Sequence, residues 1–554
     1  MSQAFNFRPH AILPFAAIIV FLVSVVVPKP SSGQTYTVVH VFNGSVDVPA
    51  FPVGMGVQGR DGKYYATSAG GNDGCTGSMY SATLTGTITT IDCLGSTTGD
   101  YPYGGVVLGS DGDIYTAVAL GGADGDGAVF KVTTGGTETI LHSFANNGDS
   151  GWANTPPVLA TDGNYYGVAA ANDEGNQFSS TFYKITPAGV FSTLHTFTSA
   201  EGNQCLFTIQ GSDGNFYSAC NYNGANNQGT LVKITKAGVV TVLHNFTSTD
   251  GGGNPAGGGP LVEANDGNYY GLTNNGGSDG YGVAYRITPT GTYTLLQNFN
   301  GANGSYPLFG MTLGPDGKMY GTTSRGGSDA SCAGNCGTIF SLTTAGTLTT
   351  LYNFVAADSE AWYPQSNLML DTSGVFYGTT NGSQQNGEVF YSFNMGFKPF
   401  ASLVSTDGKE SAQVGILGQK FSKSSVVAFG GTKATTVAVS GTTYLSATVP
   451  AGALTGPVTV TTGSSVLTTP QTFKVTPTMA SFSPESGAVN TVVTITGTGL
   501  MQTTKVTFNA KAASFTVISD TEVTATVPTG ATTGKIMVTT KGGTVTSTSS
   551  FTVN

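Results

Sequence analysis

The chain has 554 residues, of which 80 are Gly and only 9% are charged, against about 25% charged residues in an ordinary soluble domain. Its 39% hydrophobic share is enough for a core, so wholesale disorder is excluded and β-structure is the expected outcome. Twenty-one basic against 31 acidic side chains leave a net charge of −10, which excludes the electrostatic footprint of a nucleic-acid binder.

At the N-terminus, Arg8 and His10 precede an apolar run from Ala11 to Val27, followed by Pro28, Pro30, Ser31, Ser32 and Gly33. This is the pattern of a secretory signal over residues 1–33, cleaved near Gly33. A run of this length, interrupted by Pro14, also lies near the lower limit for a membrane anchor. No later stretch is comparably apolar, so no further membrane span is expected.

Six cysteines fall in three pairs close in sequence, which in an exported protein favours disulfides. Cys75 and Cys93 flank the Leu84-Thr-Gly86 turn, and Cys205 and Cys220 flank Asp213-Gly214, so each pair is expected to face across a hairpin. Cys332 and Cys336 share a glycine-rich loop. They are read as a disulfide too, with metal as the alternative, although no His is near to complete a tetrahedral set.

One phrase recurs seven times: Asp61-Gly-Lys-Tyr-Tyr65, Asp111-Gly-Asp-Ile-Tyr115, Asp162-Gly-Asn-Tyr-Tyr166, Asp213-Gly-Asn-Phe-Tyr217, Asp266-Gly-Asn-Tyr-Tyr270, Asp316-Gly-Lys-Met-Tyr320 and the degenerate Ser373-Gly-Val-Phe-Tyr377. The spacing of the copies, 50 to 57 residues, is in the range of four-stranded propeller blades. Four strand-like runs, a to d, occur in each unit. Asp-Gly lies between a and b, where glycine supplies the backbone freedom of a tight hairpin turn. A d-like run at 35–42 precedes every a, b or c strand, and the last unit stops at its c strand, Glu388 to Phe393. Thr35 to Phe42 is therefore expected to complete the seventh unit, closing the array into a ring without open sheet edges.

After Gly396 the sequence alternates Thr, Val and Gly with an internal offset of 78 to 79 residues, matching Phe429 with Phe508, Val449-Pro450 with Val527-Pro528, and Phe473 with Phe551. Two small β-sandwiches fit this pattern. The expected fold is thus all-β, a seven-bladed β-propeller over 34–396 followed by two immunoglobulin-like β-sandwiches at 397–476 and 477–554.

The tandem units, with Gly-Gly loops followed by runs such as Ala128-Val-Phe-Lys-Val-Thr133 and Leu141-His-Ser-Phe144, resemble the GloVer tandem repeat of exported bacterial proteins. The C-terminal copies, with Phe482-Ser-Pro-Glu-Ser-Gly487, Thr494-Ile-Thr-Gly-Thr-Gly499 and Val527-Pro528, resemble IPT/TIG domains. The first copy departs from that pattern, carrying Thr406-Asp-Gly408 where Pro-x-Ser-Gly is expected. The resemblance implies a secreted or cell-surface bacterial protein, of a kind that carries varied C-terminal sorting anchors. It supplies no chemistry.

Candidate chemistry is sparse. His40, His142, His195 and His244 fall at one place in strand d of different units, so they cannot converge on one metal or serve as one base. Glu263 is the only carboxylate on the inner a strands, whereas two-carboxylate hydrolysis needs a facing pair. The b–c and d–a loops share one end of the units. There Tyr101, Trp152, Tyr306, Trp362 and Tyr363 stand beside Asn- and Asp-rich glycine loops, a combination suited to stacking on sugar faces and fixing hydroxyls, or to packing unit against unit. Asp124 and Asp126, like Asp111 and Asp113, invite a calcium reading, though turn chemistry explains Asp and Gly as well. The expected function is a non-catalytic, monomeric binding scaffold for a polysaccharide or a surface protein. The alternative is a polysaccharide lyase or glycoside hydrolase using loop carboxylates such as Asp124, Asp126 or Asp279.

Overall fold

The computed structural model describes residues 34–42, 49–71, 75–95, 99–100, 102–145, 151–170, 180–328, 336–355, 363–381 and 388–554. The expected signal segment, 1–33, lies outside them. Apart from a 3₁₀ turn at Ala256–Gly258, the regular structure of the described residues is β-strand.

Up to Asn394, the described strands form seven four-stranded antiparallel sheets. The third is typical, with strands Val158–Leu159 (a), Tyr165–Ala170 (b), Ser180–Ile185 (c) and Phe191–Thr196 (d) in that order. The seventh takes its outer strand from the start of the chain, since Thr35–Phe42 pairs antiparallel with Glu388–Asn394.

Each b strand is largely buried on both faces, and the packing explains why. Successive strand residues point to opposite faces, and here both faces meet a neighbouring sheet. Tyr165 packs towards Tyr115 and Phe144 of the second sheet, while Tyr166 packs towards Phe216 and Val232 of the fourth. The same division separates Tyr64 from Tyr65, Phe216 from Tyr217, Tyr269 from Tyr270, and Phe376 from Tyr377. Consecutive sheets share one hydrophobic cluster each, and a last cluster joins Phe390, Met369 and Phe42 of the seventh sheet to Tyr64 and Tyr80 of the first.

The recurring Asp-Gly-x-x-Tyr phrase acts as a clamp. In the third sheet the Tyr166 hydroxyl donates to Asp162 Oδ2 at 2.8 Å, and the Asn164 N–H donates to Asp162 Oδ1 at 3.1 Å. The hydroxyls of Tyr65, Tyr115, Tyr217, Tyr270 and Tyr320 repeat the first bond at 2.7 to 2.9 Å. In the seventh sheet Ser373 replaces the clamp Asp, and Asp371 instead accepts from the Ser373 hydroxyl and the Val375 N–H. The hairpin is not an Asp-Gly two-residue turn. The Gly211 N–H donates to Asn215 O, leaving a three-residue loop that ends on Gly214 with φ +80°, the left-handed position glycine adopts without a side-chain clash. Burial pushes the clamp carboxyls up, but the hydrogen bonds outweigh it and hold Asp111, Asp162, Asp213 and Asp266 below the usual carboxylate range.

Beyond residue 400 lie two pairs of sheets with identical strand order, each pair enclosing one core. In the first, Asp407–Gly408 pairs in parallel with Lys474 and Val475; in the second, Ser486–Gly487 pairs in parallel with Thr552 and Val553. The Thr-Asp-Gly departure therefore occupies the same place as Glu-Ser-Gly. The first pair also lies against the a–b turn end of the seven sheets. The Arg60 guanidinium sits 4.3 Å from the Tyr444 ring centre, Thr443 Oγ1 donates to Arg60 O at 2.7 Å, Gln419 Nε2 donates to Thr372 Oγ1 at 2.9 Å, and Lys474 Nζ donates to Ser212 O. These contacts reach the first, seventh and fourth sheets.

Candidate functional site

With the turn end partly covered, the b–c and d–a loops lie at the other end. The aromatic positions expected there share a backbone feature. Trp152, Tyr306 and Tyr363 have φ of 60°, 54° and 74°, a left-handed conformation that is costly for bulky side chains. Phe51, eleven residues before its turn glycine as they are, has φ 57° and is 51% exposed. The backbone shows what holds them. The N–H groups of Trp152, Tyr306 and Tyr363 donate to Asp126 O, Tyr281 O and Cys336 O on the b–c loop of the preceding sheet, at 2.8 to 3.0 Å. The Tyr306 and Tyr363 carbonyls accept from Ser324 N–H and Asn381 N–H of their own sheet. The Phe51 N–H donates instead to Glu388 Oε2 at 2.9 Å; burial raises the Glu388 carboxyl above its usual range, and this bond opposes the rise. The main chain thus staples neighbouring sheets, while the side chains stay partly exposed.

Tyr306 and Tyr363 also share a partner that sequence reasoning missed. Arg325 is exposed, with its guanidinium 5.3 Å from the Tyr306 ring centre and 5.4 Å from that of Tyr363, and Nη2 donates to the Tyr363 hydroxyl at 3.2 Å. The Tyr281 ring meets Tyr306 edge-on at 5.8 Å and is itself 37% exposed. The Arg325 backbone is fixed by reciprocal hydrogen bonds with Ser305, and Thr323 Oγ1 donates to Arg325 O at 2.9 Å. Its signal was one of position. Arg325 precedes Gly326-Gly327, where Ala69, Leu120 and Asn275 precede the corresponding glycine pairs.

Other candidates are held differently. Tyr101, Trp362 and Cys332 lie outside the described residues. Cys75 is bonded to Cys93 and Cys205 to Cys220, while Cys336 is also disulfide-bonded. Lys131 Nζ engages both Asp111 and Asp113, at 2.9 and 2.7 Å. Asp124 and Asp126 stand on a b–c loop, and Asp279 is exposed on another, accepting from the Ser278 hydroxyl. Among the described residues no group of three or more His, Cys, Asp or Glu side chains converges as a metal site would require. Glu263 accepts from the Ser212 N–H at 2.7 Å, a tie between sheets that Gln210 and Gln58 repeat on Thr161 N–H and Thr372 N–H. The four histidines sit in different sheets, His142 stacked on Phe191 and His244 on Tyr293. An open cleft of about 440 Å³ also lies at the loop end, lined by Ser199, Asn223, Asn227 and Asn245; Asn245 Oδ1 accepts from the Ala225 N–H.

Fold and site define an all-β tandem-repeat protein whose repeat-equivalent loops gather at one end. Residues 25–206 and 153–391 match the model of the Gloeobacter/Verrucomicrobia repeat, and residues 477–553 match the IPT/TIG domain. The chain belongs to the Gloeobacter/Verrucomicrobia repeat family and carries an IPT/TIG domain. No curated protein matches it. Among solved structures, a puromycin hydrolase is 12% identical with TM-score 0.43, covering 70% of this chain and 62% of its own. A fungal alcohol oxidase of the AA5 family, in complex with copper, is 13% identical with TM-score 0.39, covering 92% and 98%. SGBP-B from a xyloglucan utilization locus of Bacteroides uniformis is 21% identical with TM-score 0.15, covering 26% and 46%. These likenesses are too distant to carry an argument about activity or ligand.

Proposed function

We propose that this protein is a non-catalytic binding scaffold of the bacterial exterior. In this reading residues 34–396 form one seven-bladed β-propeller, and 397–476 and 477–554 form two immunoglobulin-like sandwiches. The unbroken circuit of inter-sheet clusters supports the ring, and the matching strand orders of the two C-terminal sheet pairs support the sandwiches. Residues 1–33 act as the secretory signal, in keeping with disulfides at Cys75–Cys93 and Cys205–Cys220.

The binding surface is the loop end, and its ligand is a polysaccharide. One observation carries this: exposed Arg325 lies over the partly exposed rings of Tyr306 and Tyr363, whose strained backbone at repeat positions is fixed by hydrogen bonds on both sides. Strain of this kind persists where a surface must be preorganised, and aromatic faces held in place suit the apolar faces of sugar rings. The test is a glycan array probed with the full chain and with Tyr306→Ala/Tyr363→Ala. Saturable binding lost in the double variant is the expected result. Equal binding by both proteins would remove the site.

A further inference from the structure

We infer that the ligand of the loop end is an anionic glycan, whose carboxylate or sulfate group is received by the guanidinium edge of Arg325. This rests on the reading of that end as a glycan-binding surface. Between residues 34 and 396 the basic side chains are Arg60, Lys63, Lys131, Lys184, Lys233, Lys236, Arg286, Lys318 and Arg325. The first eight lie in the a–b or c–d turns, or on c strands near the turn end. Several face carboxylates there: Lys131 faces Asp111 and Asp113, Lys233 faces Asp213, and Lys63 and Lys318 face Asp61 and Asp316. Arg325 alone is at the loop end, and among the described residues it forms no ion pair.

Its geometry is that of a receptor for an anion. Its guanidinium carbon lies over the Tyr306 and Tyr363 rings, 5.3 and 5.4 Å from their centres, and the side chain is exposed, so its N–H groups can meet a ligand. Among the described residues one of its five donors is engaged, by the Tyr363 hydroxyl, and the planar guanidinium fork matches the two oxygens of a carboxylate or the oxygens of a sulfate ester. Tyr281 extends the aromatic surface beyond Tyr306, giving a sugar ring a place to lie while its acidic substituent meets Arg325. Because the chain as a whole carries −10, this one cation selects by local contact, not by long-range attraction.

The experiment compares the full chain with Arg325→Gln and Arg325→Lys, using polygalacturonate, dextran sulfate and neutral dextran as probes in affinity electrophoresis at low and high salt. The expected result is retardation by an anionic polymer, weakened at least tenfold in Arg325→Gln and several-fold in Arg325→Lys, whose ammonium lacks the fork. Unchanged thermal melting would show that the variants are folded. Polygalacturonate against dextran sulfate tells a carboxylate source from a sulfate one. Retardation by dextran alone, lost in Tyr306→Ala/Tyr363→Ala but not in Arg325→Gln, would overturn this inference and leave the binding surface standing. No retardation by any polymer would overturn both.

Discussion

Two tyrosines of one sheet should respond oppositely to loss of the same atom. The Tyr166 hydroxyl donates to Asp162 Oδ2 at 2.8 Å, whereas the buried Tyr183 hydroxyl, across the sheet on strand c, has no hydrogen-bond partner among the described residues. A hydrogen bond to a charged group contributes about 1.5 to 3 kcal/mol. Asp162 keeps the Asn164 N–H and a 3.9 Å contact with Lys236 when Tyr166 is shortened, so the lower end applies, and Tyr166→Phe should destabilise by about 1.5 kcal/mol. Tyr183→Phe removes a buried, unpaired hydroxyl and keeps the ring, so it should stabilise by about 0 to 1 kcal/mol. The two variants should therefore differ by about 2 kcal/mol. Urea unfolding followed by tryptophan fluorescence reads this directly, because the only tryptophans, Trp152 and Trp362, lie within the repeat region. If Tyr183→Phe proved the less stable of the two, the clamp would not be the source of turn stability.

Acid should weaken the repeat region. Asp111, Asp162, Asp213 and Asp266 are held below their ordinary range when folded, so their contribution is present above the unfolded carboxylate pKa near 4 and is lost as pH falls through the folded values; fluorescence-monitored unfolding between pH 6 and 2 should show a falling midpoint, less steep in Asp213→Asn. The junction of the two C-terminal sheet pairs should behave in the opposite sense. Burial, then a hydrogen bond with Asp520, pushes Glu410 up to about 7, so the folded state holds that proton more tightly than the unfolded chain, and stability should fall as pH rises from about 4 to 7. Calorimetry across that range should show the fall, and Glu410→Gln should flatten it. Removing the bond between Cys205 and Cys220, which stand opposite each other in register and 15 residues apart, should cost about 3 kcal/mol in the Cys205→Ala/Cys220→Ala protein, seen as a lower urea midpoint; an unchanged midpoint would mean that the hairpin alone closes the loop.

Much of the fold was legible because the repeat is enforced by local chemistry. Asp-Gly-x-x-Tyr combines a left-handed glycine with a carboxylate that accepts from both backbone and hydroxyl, so it survives wherever the hairpin does. Strand exchange could be read from counting alone, since Thr35–Phe42 lacks its own unit and Glu388–Asn394 lacks an outer strand. The site was half legible. The aromatic positions were found from their place in the d–a loops, but not the reason they recur, because a left-handed φ on Tyr306 or Tyr363 leaves no trace in residue type. Arg325 was missed because cation and rings are separated by 19 and 38 residues, and only the sheet order places a b–c loop between two d–a loops.

The two ends of the sheets follow different rules for a physical reason. At the turn end the carboxylates and lysines neutralise one another, and the first C-terminal sheet pair covers part of the surface through Arg60, Thr372 and Ser212. Substitution there breaks a clamp or a contact, which keeps the phrase nearly uniform. At the loop end the main chain does the stapling: the N–H groups of Trp152, Tyr306 and Tyr363 bond carbonyls of the preceding sheet, whatever side chain they carry. Side chains at that position are then free to differ, as Phe51, Trp152, Tyr306 and Tyr363 do. On the proposed reading, a scaffold of this kind would change its ligand by changing one loop residue, and Arg325, standing where other units have Ala, Leu or Asn, would be such a change.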